Sequence, residues 1–182
     1  VKEKLFAPAV VDVVDSLGYR NQGMNYTIRP LVENNVKIMG RAFTINCVEV
    51  YEIPEFPYKA QLEAIDEMEP GDIMVATTQG SMSAAFLGEL MMTRCKYRGA
   101  VGAIVDGGCR DIDALEESGF PVYHRGITVM DSKGRLDVIA YNVPIVCGGV
   151  LVYPKDVIFA DREGVVVIPA AIVDEVIEKT IE

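Results

Sequence analysis

The sequence holds a single histidine among its 182 residues. One imidazole cannot supply a histidine-rich metal site, and it argues against a Ser-His-Asp triad. The four cysteines, Cys47, Cys95, Cys109 and Cys147, are scattered without a CxxC pair, so they read as reduced thiols and not as zinc ligands. Basic side chains are few: 17 Lys and Arg stand against 27 Asp and Glu, for a net charge of −10. That balance excludes a basic nucleic-acid surface, and an anionic substrate would need a local cation or metal. No signal peptide is read at the start, and no apolar run is long enough to cross a membrane, so the expected location is the cytoplasm. There is no low-complexity tract, and half of the residues are apolar, which argues against disorder. An enzyme with this composition would work with carboxylates, arginine and a hard metal ion.

What is present is concentrated in Gly88–Asp111, GELMMTRCKYRGAVGAIVDGGCRD. Ala100–Val105 is almost all small or β-branched, as in a strand covered on both faces. Charge is expected only at the ends of such a strand: Glu89 before the preceding helix, and Asp106, Arg110 and Asp111 beyond the strand. Gly107-Gly108 is expected to turn the backbone there. Ligands of open α/β sheets sit beyond the carboxyl ends of the strands, which makes this stretch the candidate active site.

The flanking chain alternates helix and strand signals. Pro8 opens a helix with Val10, Val13, Val14 and Leu17 on one face and Gly18 as its stop; Asp12 and Asp15 read as solvated charges. A strand is expected over Val36–Val50, a helix over Tyr58–Met68, a turn at Glu69–Asp72 and a buried strand over Ile73–Ala76. A second helix is expected over Ala84–Tyr97, with its methionines as core filler. Ile112–Ser118 reads as a short helix and Val122-Tyr123 as strand. The last third is strand-rich: Leu136–Val146, Gly148–Val152, Val157–Ala160, a hairpin turn at Asp161–Gly164, and Val165–Ile168. Pro169 then opens a terminal helix reaching Glu182. PGDIMVA at 70–76 is echoed by PKDVIFA at 154–160. The expected fold is α/β, a single compact domain over 1–182, with mixed β-sheets and flanking helices.

Several of these residues also have structural readings. Asp111 fits an acidic residue at a helix start, and Glu89 a first-turn charge. Cys109, beside an arginine, could be a low-pKa thiolate or a structural thiol, and His124 reads as structural. The glycines at 102, 107 and 108 do not have the GxGxxG spacing that opens a dinucleotide-binding helix.

Taken together the motifs resemble the family of the regulator of ribonuclease activity A and the class II 4-hydroxy-4-methyl-2-oxoglutarate aldolases. The resemblance runs along nearly the whole chain: VVDSLG, GRAFT, EPGD, LGEL, GAVGAIVDGGCRD, FPVYHRG, VPIVCGGVLVYPKD and FADREGVVVIP. Glu89 precedes Arg110-Asp111 by the interval of the aldolase branch, an acidic residue, twenty residues, then Arg-Asp. Lys155 departs from the family pattern, which carries glycine there.

The resemblance implies a swivelling β/β/α-like fold and a divalent metal, Mg²⁺ or Mn²⁺, held by Asp111. It implies that Arg110 grips a 2-oxo acid and stabilises its enolate, and that Glu89 transfers protons through water. The start of the helix at Gly88, with the Leu90 and Met91 amides, would cradle the substrate carboxylate. It further implies a homotrimer or hexamer, to which a neighbouring subunit can contribute an acidic residue. Lysine Schiff-base chemistry is not implied, and no glycine-rich S-adenosylmethionine loop supports a methyltransferase.

Two functions follow from the resemblance. One is a metal-dependent lyase, cleaving 4-hydroxy-4-methyl-2-oxoglutarate or decarboxylating oxaloacetate through a pyruvate enolate. The other is a non-catalytic regulator that binds a ribonuclease, which needs a surface but not Glu89, Arg110 and Asp111 together. The intact constellation favours the enzyme.

Overall fold

The computed structural model describes residues 2–33 and 36–181. In chain order its elements are α1 (Ala7–Ser16), β1 (Arg29–Pro30), β2 (Ile38–Glu49), α2 (Lys59–Asp66), β3 (Asp72–Thr77), β4 (Ala85–Leu87), α3 (Glu89–Tyr97), β5 (Gly102–Cys109), α4 (Ile112–Glu117) and β6 (Val122–Ile127). The second half adds β7 (Leu136–Tyr141), β8 (Ile145–Cys147), β9 (Val150–Val152), β10 (Val157–Asp161), β11 (Gly164–Ile168) and α5 (Val173–Ile181). The terminal helix starts one short 3₁₀ turn later than Pro169 suggested, and its expected end at Glu182 lies outside the described residues.

The main sheet has the order β1-β6-β5-β3-β2-β10-β11. Its centre, β2-β3-β5-β6, is parallel, and β10 and β11 extend it antiparallel. β3 and β5 are buried along their whole length, which is why residues 73–76 and 103–105 are apolar runs without a polar face. β2 is long because two partners share it: β10 pairs with its first residues and β7 with its last.

Side chains of β3 alternate between two cores, as a period of two requires. Met74 and Ala76 pack with Ile65, Met92, Cys95 and Leu115 from α2, α3 and α4, and with Met68 just after α2. Ile73 and Val75 pack on the other face with Ile145, Cys147, Val150 and Val152 of the β8–β9 hairpin. A third cluster seats α1 and α5 against Phe159, Val166 and Ile168. The architecture is the expected α/β domain with mixed sheet and flanking helices.

Three local expectations are corrected. The helix expected from Ala84 begins only at Glu89, because Ala85–Leu87 pairs in parallel with Gly108-Cys109 and is buried as β4. The turn expected at Gly107-Gly108 is absent: both glycines lie inside β5. They are there for space, since a Cβ on Gly107 would meet Thr78 Oγ1 at 2.5 Å and one on Gly108 would meet Thr128 Cγ2 at 2.7 Å. Asp106 is likewise inside the strand and not beyond it. Its buried carboxylate takes bonds from Arg125 Nε at 2.7 Å and the Gly148 amide at 2.8 Å, which is how a central strand accommodates a charge.

The two echoed segments fold alike. Asp72 Oδ2 accepts the Glu69 amide, and Asp156 Oδ2 accepts the Tyr153 amide, each at 2.9 Å. Gly71, with φ +88°, matches Lys155, with φ +72°, so Lys155 occupies a left-handed position that favours glycine. Its Nζ lies 3.7 Å from both Glu69 and Asp72.

Candidate active site

The site forms where β4 and β5 end side by side. Gly88 is extended (φ −139°) and caps α3. Across from it the chain leaves β5 through Arg110 and enters α4 through Asp111, a left-handed residue at φ 57°. Aspartate tolerates that conformation better than most side chains. The Arg110 amide donates to Leu87 O at 3.0 Å, tying the two strand ends together.

Asp111 Oδ2 accepts the Glu89 amide at 3.0 Å, so the carboxylate sits on the N-terminus of α3, where partial positive charge collects. The ladder inside α3 starts with the Met92 amide bonding to Gly88 O. The Leu90 and Met91 amides lie ahead of it, free of intrahelical partners. Arg110 Nε stands 3.8 Å from Asp111 Oδ2, and its Nη2 stands 3.4 Å from Asp131 Oδ1.

These groups open on a cleft of about 160 Å³. Of the residues singled out in the sequence, Gly88, Leu90, Met91, Arg110 and Asp111 line it. The Glu89 side chain is exposed and does not line it; this residue reaches the site through its backbone amide.

Tyr58, Gln61, Ala85, Phe86, Asp131 and Ser132 complete the wall and were not singled out as site residues in the sequence. Asp131 arrives on the β6–β7 loop, held where the Ala85 amide bonds to Met130 O at 2.9 Å. Tyr58 precedes α2 at φ 65° and donates its hydroxyl to Asp131 Oδ2 at 2.5 Å. A lone aspartate after a strand and a tyrosine at a helix start carry no spacing signal. The one available hint is Pro57, which marks a turn before Tyr58.

Burial works against the charge of Asp131, but the Tyr58 hydroxyl, the Arg110 guanidinium and the Ser132 and Lys133 amides outweigh it. Its carboxyl is held below the ordinary range. The same hydrogen bond pushes the Tyr58 phenol up. Cys109 is fully buried, and burial pushes its thiol up to about 12, so it is a structural thiol and not a reactive thiolate. Burial also pushes the His124 imidazole down, and its Nδ1 lies 3.0 Å from Gly126 O, in keeping with a structural role.

Among the described residues no three or more His, Cys, Asp or Glu side chains form a metal cage. Asp111 provides a single carboxylate with one oxygen committed to an amide and Oδ1 accepting no hydrogen bond from a described residue. That donor set fits a hard divalent ion that keeps most of its waters, such as Mg²⁺, and does not fit zinc.

The fold and these motifs have close counterparts. A protein of Halalkalibacterium halodurans named "Putative 4-hydroxy-4-methyl-2-oxoglutarate aldolase" is 35% identical over 170 residues, 93% of this chain and 75% of its own. A structure described as novel cellulases from microbes of the gut ecosystem superposes with a TM-score of 0.93 at 29% identity, covering 98% of this chain and 79% of that one. Streptomyces coelicolor RraAS2, described as an unusual member of the RNase ES inhibitor RraA family, superposes with a TM-score of 0.85 at 29% identity, covering 96% and 85%. These names disagree about activity, so activity has to be argued from the site. The profile of the RraA-like family, Aldolase/RraA, matches residues 7–167, and the chain belongs to that family.

Proposed function

We propose that this protein is a divalent-metal-dependent lyase of 2-oxo acids, a 4-hydroxy-4-methyl-2-oxoglutarate aldolase or an oxaloacetate decarboxylase working through a pyruvate enolate. The observation that carries this reading is the convergence of Arg110, Asp111 and the first amides of α3 on one cleft. The aldolase name of the Halalkalibacterium relative supports the same class.

Asp111 would hold Mg²⁺ or Mn²⁺, which when bound polarises the substrate's oxo group as a Lewis acid. The remaining work falls to the chain. Arg110 presents a planar fork to the substrate carboxylate and oxo oxygen and stabilises charge as the enolate develops. The Leu90 and Met91 amides bind the carboxylate at the positive end of α3. Leu90, Met91 and Phe86 give the cleft an apolar side. Glu89, whose exposed side chain lies outside the cleft lining, would transfer the proton only through intervening water.

The direct test is pyruvate release from oxaloacetate and from 4-hydroxy-4-methyl-2-oxoglutarate, with and without Mg²⁺. Metal-dependent release from either supports the proposal, and no release from both with Mg²⁺ or Mn²⁺ refutes it.

The regulator reading has an observation of its own. The loop after β2 exposes Tyr51, Ile53 and Phe56 beside Glu49, Glu52 and Glu55, a mixed acidic and apolar surface. The description of the Streptomyces neighbour names an RNase inhibitor family. Binding to a ribonuclease that survives Arg110→Ala and Asp111→Asn, with no lyase activity in the parent protein, would favour it.

A further inference from the structure

The reaction outlined above leaves one contact in the cleft without a role. Tyr58 bonds to one oxygen of Asp131 at 2.5 Å, and the other oxygen faces Arg110 Nη2 at 3.4 Å. We propose that Asp131 and Tyr58 are positioning residues that aim the Arg110 guanidinium into the cleft. This rests on reading Arg110 as the group that grips the 2-oxo acid.

An arginine side chain has many rotamers, and a bidentate grip is useful only if the fork is already oriented. Asp111 alone meets Arg110 at Nε, 3.8 Å away and near the stem. Asp131 faces the far end, so one carboxylate flanks the guanidinium at its stem and another at its tip. Asp131 is itself fixed. The Ala85 amide bonds to the neighbouring Met130 O, and Arg135 Nη1 donates to Asp131 O at 2.9 Å.

Tyr58 supplies the second support from a different element. It holds a left-handed backbone at φ 65°, which a bulky side chain adopts only where its surroundings over-determine it, and such residues cluster at functional sites. Its hydroxyl is committed to Asp131, and that bond makes the phenol a weaker acid. Tyr58 is therefore poorly suited to protonate substrate, whereas it is well suited to hold a carboxylate in place. Burial opposes the Asp131 charge, but the hydrogen bond from Tyr58 and the nearby Arg110 charge outweigh it and favour an ionised partner for Arg110. The charged and titratable groups against Asp131 are Tyr58 just before α2, Arg110 from the β5–α4 turn and Arg135 on its own loop, with Asp111 lining the same cleft; β4, Ala85–Leu87, carries none.

The test compares Asp131→Asn and Tyr58→Phe with the parent protein, using Arg110→Lys to identify the Arg110 Nη–H signals in nitrogen-15 spectra. Positioning predicts a distinct, slowly exchanging Arg110 signal in the parent that broadens or shifts to the solvent-exposed range in Asp131→Asn. Affinity for oxalate with Mg²⁺, oxalate being a planar mimic of the enolate, should fall about tenfold or more. In Tyr58→Phe the acid limb of oxalate binding should move to higher pH, because losing the hydroxyl raises the Asp131 pKa. An unchanged Arg110 signal and unchanged oxalate affinity in a folded Asp131→Asn protein would overturn the proposal. Should Asp131→Asn not fold, Tyr58→Phe decides by the same signal and the same pH shift. A parent protein without lyase activity would refute the proposed reaction, while the Arg110 signal would still decide whether this pair positions the arginine.

Discussion

The Asp111 carboxylate accepts the Glu89 amide at 3.0 Å, and a Cβ on Gly88 would stand 2.5 Å from the same oxygen. The carboxylate can rest on the helix start only because the residue before Glu89 has no side chain. Gly88 is therefore required for close approach and not for an unusual backbone, since its φ of −139° is open to any residue.

Gly88→Ala should accordingly leave the fold in place and disable the site. The methyl group would displace Asp111, and a misplacement of about 1 Å can cost roughly a hundredfold in rate. A melting temperature close to that of the parent, with metal-dependent pyruvate release reduced on that scale, is the expected result. Full activity in Gly88→Ala would show that the Asp111 position is not critical.

Asp111→Asn separates charge from shape. Asparagine tolerates the left-handed backbone and its side-chain oxygen still accepts the Glu89 amide, but it brings no negative charge to a cation. The circular dichroism spectrum should be unchanged and Mg²⁺-dependent turnover lost. Asp111→Ala is a poorer probe because it adds backbone strain at φ 57°. Parent-like turnover in Asp111→Asn would remove Asp111 as the metal anchor.

Arg110→Lys keeps the charge and loses the planar fork. The fall in kcat/KM should be about a hundredfold or more, the scale of removing one transition-state donor, and nearly that of Arg110→Ala. Substantial activity in the lysine variant would mean that Arg110 acts as a simple point charge.

Association into a homotrimer or hexamer is expected from the family resemblance, and large apolar side chains on the surface support it. Leu90, Tyr97 and Val129 are each more than four-fifths exposed in the isolated chain, and Leu90 lies at the rim of the cleft. Covering such side chains favours specific contact between subunits, and the net charge of −10 opposes nonspecific sticking. Light scattering at micromolar concentration checks this, and an active monomer there would rule out a shared site.

The sequence by itself determined what depends on neighbours along the chain. Apolar runs marked β3 and β5, helical spacing marked α1 and α2, and the Arg-Asp pair after a buried strand marked the candidate site. Three features were decided only by the tertiary structure. Ala85–Leu87 has the apolar character of either a helix start or a strand, and the edge of β5 that continues past the end of β3 at Gly108-Cys109 selects strand by pairing with it. Gly107-Gly108 carries the local signature of a turn, yet Thr78 and Thr128, packed against it from elsewhere in the chain, make it a crowded strand. Tyr58 and Asp131 are 73 residues apart, and neither has a periodicity that points to the other. Their contact exists because α2 and the β6–β7 loop converge on the same end of the sheet. Local sequence records the preferences of each segment, but which segments meet is set by strand order and register, and the second wall of this cleft is made entirely of such meetings.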